Sequence, residues 1–334
     1  MLEMERPLRY LVTGASGFIG PHLVKRIISE GHFCRCLVRE PQKLEWAPSD
    51  QLEIVKGDVT RPETLQGIAD GIDRVLHLAT LGHMNNFKVA PEMFQAVNVE
   101  GTRNIMNAAL AAGVERVVHC SSVAAMGICA DNPATEESAC NPHHPYGKSK
   151  LKAEEVVRAY AARGLAACIL RFSMVYGPGD WRDMLKLTRM AKKGLFPRVG
   201  SRPKLTALIH VRDAVEAILL AAEKGGGGET YLITNPRSEP FDRLRSLILE
   251  GLGIWRPTLF VPESLALGLA TLAESISKRL GKMPPVTRKN IESTLADRVF
   301  SIEKAQRELG FRPTMDPTDG IRETARWYRE KGWV

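Results

Sequence analysis

A first apolar run, Tyr10–Val12, leads directly into TGASGFIG, with glycines at positions Gly14, Gly17 and Gly20. No other feature restricts the fold as much. Glycines at this spacing permit a tight strand-to-helix turn, and they let a backbone approach a ligand diphosphate closely. They also allow the following helix to pack tightly on its sheet. A diphosphate there sits over a helix N-terminus, where free N–H groups and the helix dipole favour negative charge. The spacing is GxxGxxG, so the preceding strand and the following helix carry as much of the argument as the glycines. Gly14, Gly17, Phe18, Ile19 and Gly20 are therefore candidate dinucleotide contacts.

The alternation continues down the first half of the chain. Candidate strands are Cys34–Val38, Leu52–Lys56, Arg74–Leu78, Arg116–Cys120 and Ala167–Arg171. Between them lie helical patterns at Ile19–Ser29, Met93–Ala112 and Tyr146–Ala162. Apolar strands alternating with helices of this length imply right-handed βαβ units and a parallel sheet covered on both faces. The expected class is α/β, a Rossmann-type doubly wound parallel sheet with a smaller, mostly helical C-terminal substrate domain. Residues 1–179 form the dinucleotide-binding part, with a return to it at about 205–235, and residues 180–204 and 236–334 form the substrate part. The basic stretch Asp180–Pro203 reads as helical, and a strand is expected at Tyr231–Ile233.

The end of the second strand identifies the dinucleotide. An acid there would accept from the ribose 2′-hydroxyl of NAD. The strand reads CRCLVRE, with Arg39 at that position and Lys43 four residues on, and a guanidinium suits a 2′-phosphate. NADP is the expected cofactor, and Glu40 keeps NAD as the alternative.

The stretch HHPYGKSKLKAEEVV places Tyr146 and Lys150 one helical turn apart. A phenol is a weak acid, with an ordinary pKa near ~10. An ammonium beside it is expected to draw that pKa toward working pH, where proton transfer is most efficient. An i, i+4 spacing puts both side chains on one helix face.

With 334 residues, 44% hydrophobic and 25% charged, the chain supports a sizeable core. Its net charge of +8 is spread among acids rather than gathered in a basic run, which argues against nucleic acid as a partner. The six cysteines form no CxxC pair and no metal-ligand spacing, and Cys34, Cys36, Cys120 and Cys168 fall in strands as small buried hydrophobes. A reducing, cytoplasmic location is expected, without an integral membrane segment: the most apolar stretch, Leu265–Ala273, is too short to span a bilayer. Leu265, Leu269, Leu272, Ile276 and Leu280 recur at helical spacing, with Lys278, Arg279 and Lys282 nearby. An ordinary helix burying this face in its own domain is the favoured reading, and a weak membrane or lipid contact is the alternative.

These motifs together resemble the extended short-chain dehydrogenase/reductase superfamily, which includes NAD(P)-dependent epimerases. The resemblance covers Arg9 to about Thr230, and the tail more loosely. It rests on TGASGFIG, KGDVT, HLAT, NVEGT, CSSVAAMG, the Tyr146/Lys150 pair, RFSMVYGPGD and IHVRDAV, in the family's order. It implies Tyr146 as general acid/base, Lys150 as the residue lowering its pKa and holding the nicotinamide ribose, and Ser122 as hydrogen-bond partner of the reacting oxygen. Asp58 and Val59 would face the adenine, Leu78, Ala79 and Thr80 the diphosphate and ribose, and Phe172 and Ser173 the nicotinamide. Asn98 and Ser121 complete the cofactor set. His77 and His210 are expected to be structural. A homodimer through the helices at about 93–112 and 146–162 is implied as well.

Three departures bear on the substrate. Met126 stands where many sugar-nucleotide members carry a tyrosine, and Thr206 where many carry a diphosphate-gripping arginine. Arg182, Lys186, Arg198, Arg202 and Lys204 could compensate for that arginine. Val123 and Ala124 replace the acidic pair of the dehydratases, which argues against sugar dehydration. The segment from Val261 to Arg288 is similar to sterol- and flavanone-type reductases. The expected function is an NADP(H)-dependent reductase or dehydrogenase of a secondary alcohol or ketone on a largely apolar small molecule. The alternatives are an NAD-dependent sugar-nucleotide epimerase and, more remotely, a non-catalytic dinucleotide sensor.

Overall fold

The computed structural model describes residues 6–44, 46–82, 89–202, 204–279, 288 and 296–334. Seven parallel strands form one sheet: β1 (Arg9–Thr13), β2 (Phe33–Val38), β3 (Leu52–Lys56), β4 (Arg74–His77), β5 (Arg116–Ser122), β6 (Ala167–Phe172) and, far downstream, β11 (Thr230–Ile233). Their spatial order is β11-β6-β5-β4-β1-β2-β3, so the chain winds outward from β1 in both directions. Where the order reverses, beside the carboxyl end of β1, a crevice opens that suits a dinucleotide. In register, Val12 of β1 faces Cys36 on one side and Leu76 on the other. The strands expected from the sequence are all present, lengthened by a residue or two at several ends, except that β4 stops at His77, one residue short of the expected Leu78.

Helices α1 (Ile19–Ser29) and α6 (Val211–Lys224) cover one face of the sheet with α9 (Glu303–Leu309). On the other face lie α3 (Gly101–Ala111) and α4 (Pro145–Ala161). Leu23, Val24 and Ile27 bury one side of α1, while Lys25, Arg26 and Glu30 face water. Each residue so buried contributes roughly 1.5–3 kcal/mol from removal of apolar surface. Cys34, Cys36, Cys120 and Cys168 are free and buried, as their strand positions imply.

Two local readings are corrected. The expected helix Met93–Ala112 is composite: α2 (Pro91–Phe94), a π-helical turn at Gln95–Glu100, then α3. Asn98 lies in that turn and side-chain hydrogen bonds lock it there, a tertiary effect that periodicity cannot show. The stretch expected to be helical to Pro203 holds α5 only over Asp183–Lys192, followed by β8 (Arg198–Val199). Gly194, at φ +71, stops the helix, and Pro197 follows. Pro203, Leu280, Lys282 and the side chains of Lys43 and Lys278 lie outside the described residues.

Short pairs complete the C-terminal part: β7 (Met174–Tyr176) with β10 (Leu208–His210), β9 (Leu205–Thr206) with β12 (Glu239–Pro240), and β8 with β13 (Phe260–Val261). A separate core forms among α5, α7 (Phe241–Leu252) and α10 (Pro317–Glu330), centred on Leu244, Leu247, Ile248 and Tyr328. Ile302, Ala305, Leu309 and Phe311 instead pack into the sheet-side core with α1 and α6. Helix α8 (Glu263–Arg279) follows β13. Among the described residues no helix is long and apolar enough to cross a membrane.

Candidate active site

The glycine turn is held by contacts that forbid side chains. Gly14 has φ +72, and a Cβ there would lie 2.7 Å from the Ala79 nitrogen and 2.8 Å from the Leu78 carbonyl carbon. At Gly20 a Cβ would collide with the Ala15 carbonyl. The Thr13 hydroxyl accepts from the Ala79 N–H at 3.1 Å and pairs with His77 Nδ1 at 2.7 Å. His77 Nε2 lies 3.1 Å from the Thr102 hydroxyl. Burial pushes this imidazole down to about 3, so it stays neutral, a strut between β1, β4 and α3. The first turn of α1 has no side-chain cap and no acidic residue. Its N–H groups thus remain available for a diphosphate, and the cradle fits a dinucleotide.

Candidate cofactor positions lie at the carboxyl ends of neighbouring strands. Arg39 and Glu40 are exposed just past β2. Past β3, the Asp58 carboxylate accepts from the Thr60 N–H (2.9 Å) and hydroxyl (2.8 Å), and Val59 is buried against α3. At the end of β6, Phe172 and Ser173 are buried, and the Ser173 hydroxyl has no hydrogen-bond partner among the described residues. An unmatched buried hydroxyl at the position expected for the nicotinamide suits a carboxamide ligand.

Asn98, expected to touch cofactor, has its hydrogen-bonding capacity taken up within the protein. Its oxygen accepts from the Thr80 hydroxyl (3.1 Å) and the Leu81 N–H (2.7 Å). Its nitrogen donates to the Leu81 carbonyl (3.1 Å) and the Ser149 hydroxyl (2.9 Å). The Ser149 hydroxyl in turn donates to the Tyr146 carbonyl at 2.7 Å, so Asn98 ties the loop after β4 to α4.

The sequence raised Ser121 and Ser122 together, and the fold separates them. The Ser121 hydroxyl donates to Glu154 at 2.6 Å. Glu154 is fully buried and takes a two-pronged bond from buried Arg171, at 3.1 and 2.8 Å. Ser121 therefore joins a buried ion pair under the site, whereas Ser122 ends β5, accepts from the Ala124 N–H at 3.2 Å, and lies near enough to the Tyr146 phenol to draw its pKa down. Gly147, which sequence reasoning passed over, permits this approach. A Cβ there would run into the Ala124 carbonyl, so α4 could not close on the turn that follows Ser122. Pro145 at the first helical position and the His144 cap on the Tyr146 N–H (3.2 Å) set where α4 starts.

The electrostatics differ from the expected pattern. Burial raises the Tyr146 phenol above its ordinary value; the Ser122 hydroxyl and the Arg182 charge pull it down, and Asp183 pushes it up. The Lys150 ammonium is engaged with β5. It donates to the Cys120 carbonyl at 2.7 Å and lies 3.4 Å from His119 Nε2. The shared helix face meets β5, and the long lysine side chain reaches in to a backbone carbonyl of that strand. Burial lowers Lys150 to about 8, so the ammonium can lose its proton near neutral pH. A cation whose charge draws the Tyr146 phenol down is Arg182, whose guanidinium stacks on Trp181 and abuts Gly82 past β4. The sequence offered Arg182 only as one of several basic residues; its place beside the phenol depends on the loop that Asp180 organises. The Asp180 carboxylate accepts from the Arg182 and Met184 N–H groups at 2.8 and 3.0 Å.

A parallel sheet with an open glycine cradle at its switch point, and a neighbouring serine–tyrosine pair beside a buried lysine, defines an NAD(P)-dependent oxidoreductase or epimerase. Residues 10–234 match the NAD dependent epimerase/dehydratase family, and the chain belongs to that family, within the extended short-chain dehydrogenases/reductases. It is 29% identical over 329 residues to "Sterol demethylase protein B" of Methylococcus capsulatus, covering 97% of this chain and 99% of that protein. It is 30% identical to the "3 beta-hydroxysteroid dehydrogenase/Delta 5-->4-isomerase" of Mycobacterium tuberculosis, over 96% of this chain and 90% of that protein. Among solved structures, the DesIV dTDP-glucose 4,6-dehydratase of Streptomyces venezuelae, with NAD bound, superposes with TM-score 0.77 at 27% identity, covering 98% of each chain.

Proposed function

We propose that this protein is an NADP(H)-dependent oxidoreductase interconverting a secondary alcohol and a ketone on a largely apolar, sterol-, flavanone- or polyketide-like substrate. The observation that carries this reading is the placement of Ser122, at the end of β5, near enough to the Tyr146 phenol to favour its ionised form, at the carboxyl edge of the sheet beside the glycine cradle. A nicotinamide dinucleotide, when held here, would supply the hydride for the carbonyl carbon, or accept it in the reverse direction. Tyr146 gives its proton to the substrate oxygen on reduction and removes it on oxidation. Ser122 donates to the same oxygen as negative charge develops there. Lys150, with Gly14, Gly17, Phe18, Ile19, Gly20, Asp58, Val59, Leu78, Ala79, Thr80, Phe172 and Ser173, holds the dinucleotide. Arg39, with Lys43, takes the 2′-phosphate. Two similarities support an apolar substrate, those to the sterol demethylase protein and to the hydroxysteroid dehydrogenase.

The assay is oxidation of NADPH with a panel of apolar ketones, run beside Tyr146→Phe. The expected result is turnover by the wild type and a loss of at least ~10²-fold in the variant. If the purified protein instead carries NAD through gel filtration and reduces no ketone, the epimerase reading replaces this one. We also place the enzyme in the cytoplasm as a homodimer through α3 and α4, with residues 1–179 and 205–235 as its dinucleotide half. Light scattering at the mass of a monomer would overturn the dimer.

A further inference from the structure

Helix α8 does not bury its leucines. The residues of α8 that the body of the protein covers are Ala266, Ala270 and Ser277. One position away around the helix, Leu265 (51% exposed), Leu269 (55%), Leu272 (56%) and Ile276 (48%) form an outward stripe at spacings of four, three and four. This overturns the expectation of an ordinary helix packing that stripe in its own domain. The exposed apolar surface continues beyond the helix. Strand β13 presents Phe260, Leu259 precedes it, and Trp255 on the same approach is 79% exposed.

The approach is fixed in place. Arg245, itself buried, donates to the carbonyls of Arg256 and Pro257 at 2.7 Å each and to the Thr258 hydroxyl at 2.9 Å. Arg256 donates to the Lys192 carbonyl at 3.0 Å, which joins the loop to the end of α5. Lys192 and Lys193 are exposed there beside Leu195, itself 59% exposed. Trp255, Phe260 and the leucine stripe thus follow one another along residues 255–279 with Arg256 and Arg279, beside Glu263 and Glu274 on α8, and Arg256 ties this stretch to Lys192 at the end of α5. Large apolar side chains exposed in succession along a stretch that Arg245 and Arg256 hold in place mark a contact surface rather than scattered exposure. Its cationic rim and tryptophan select among partners: basic side chains complement anionic headgroups, and tryptophan favours the interface between headgroup and acyl chain.

We infer that α8 and the loop before it form a docking surface for a bilayer carrying anionic headgroups, on which the protein lies without spanning it. The inference is independent of the reaction proposed above, because none of these residues belongs to the dinucleotide or proton-transfer site.

The test is sedimentation of the whole protein with vesicles of phosphatidylcholine alone, and of phosphatidylcholine with about one-third phosphatidylglycerol. The expected result is at least ~10-fold tighter binding to the anionic vesicles, weakened by high salt. Leu269→Glu with Leu272→Glu is expected to abolish binding while melting temperature and dinucleotide binding stay as in the wild type. Trp255→Ser, a change at an exposed loop position, is expected to weaken it ~5-fold or more. Reversing charge at Lys192, Lys193 and Arg256 removes the preference for anionic vesicles. A wild type that stays in the supernatant with both vesicle types overturns the inference. So does a leucine double variant that still sediments, or one that only loses self-association, which would assign the stripe to a second copy of this chain.

Discussion

At the scale of single residues, the proton-transfer group and the buried cation prove to be separate elements. Ser122 and Arg182 draw the Tyr146 phenol down, whereas the Lys150 ammonium is engaged with β5. Lys150 gives a signed pH prediction. Its folded value, about 8, lies below the ordinary 10.5, so folding disfavours the ammonium. The full cost is present below pH ~8 and disappears as pH rises through ~10.5, where the unfolded chain also loses the proton. The wild type should therefore gain stability relative to Lys150→Met between those values, by up to a few kcal/mol (about 1.4 per tenfold in proton affinity). Melting both proteins across that range checks it, and a flat difference counts against it. Arg182→Gln should move the Tyr146 phenol further up. An NMR titration of ring-labelled tyrosine, assigned with Tyr146→Phe, reads that directly.

At the scale of elements, two close approaches set the site. Gly147 lets α4 meet the turn after Ser122, and the π-helical turn delivers Asn98 to four hydrogen bonds with Thr80, Leu81 and Ser149. Gly147→Ala should push α4 off that turn and lower turnover ~10-fold or more, with a smaller loss of dinucleotide affinity through Lys150 on the same helix, because the glycine cradle lies on other elements. Asn98→Ala removes a buried amide that bridges the loop after β4 to α4. It should destabilise the fold by about 2–4 kcal/mol, measurable by urea unfolding. Of these, the cradle glycines were legible in the sequence because their spacing is local. Gly147 was not, since its reason for being glycine is the carbonyl of Ala124, on a different element.

At the scale of the whole molecule, the seven-stranded order brings Arg39, the glycine cradle and Ser122 along one carboxyl edge, although they lie far apart in the chain. Arg39→Asp should reverse the preference for NADP over NAD, by ~10-fold or more in affinity ratio. Calorimetry with the two dinucleotides checks this, and equal wild-type affinities would sink the Arg39 argument.

The sequence by itself determined the parallel sheet and the glycine cradle, and it singled out the tyrosine and lysine proposed above for the reaction. These rest on periodicity, glycine conformation and side-chain chemistry, which are properties of short stretches. Only the tertiary structure decided that the Lys150 ammonium turns to β5, that Arg182 draws the phenol down, that Ser121 serves an ion pair, and that the α8 leucines stay outside. Each of these depends on which distant element occupies the space beside a residue, and burial and electrostatics follow from that neighbour rather than from the residue itself.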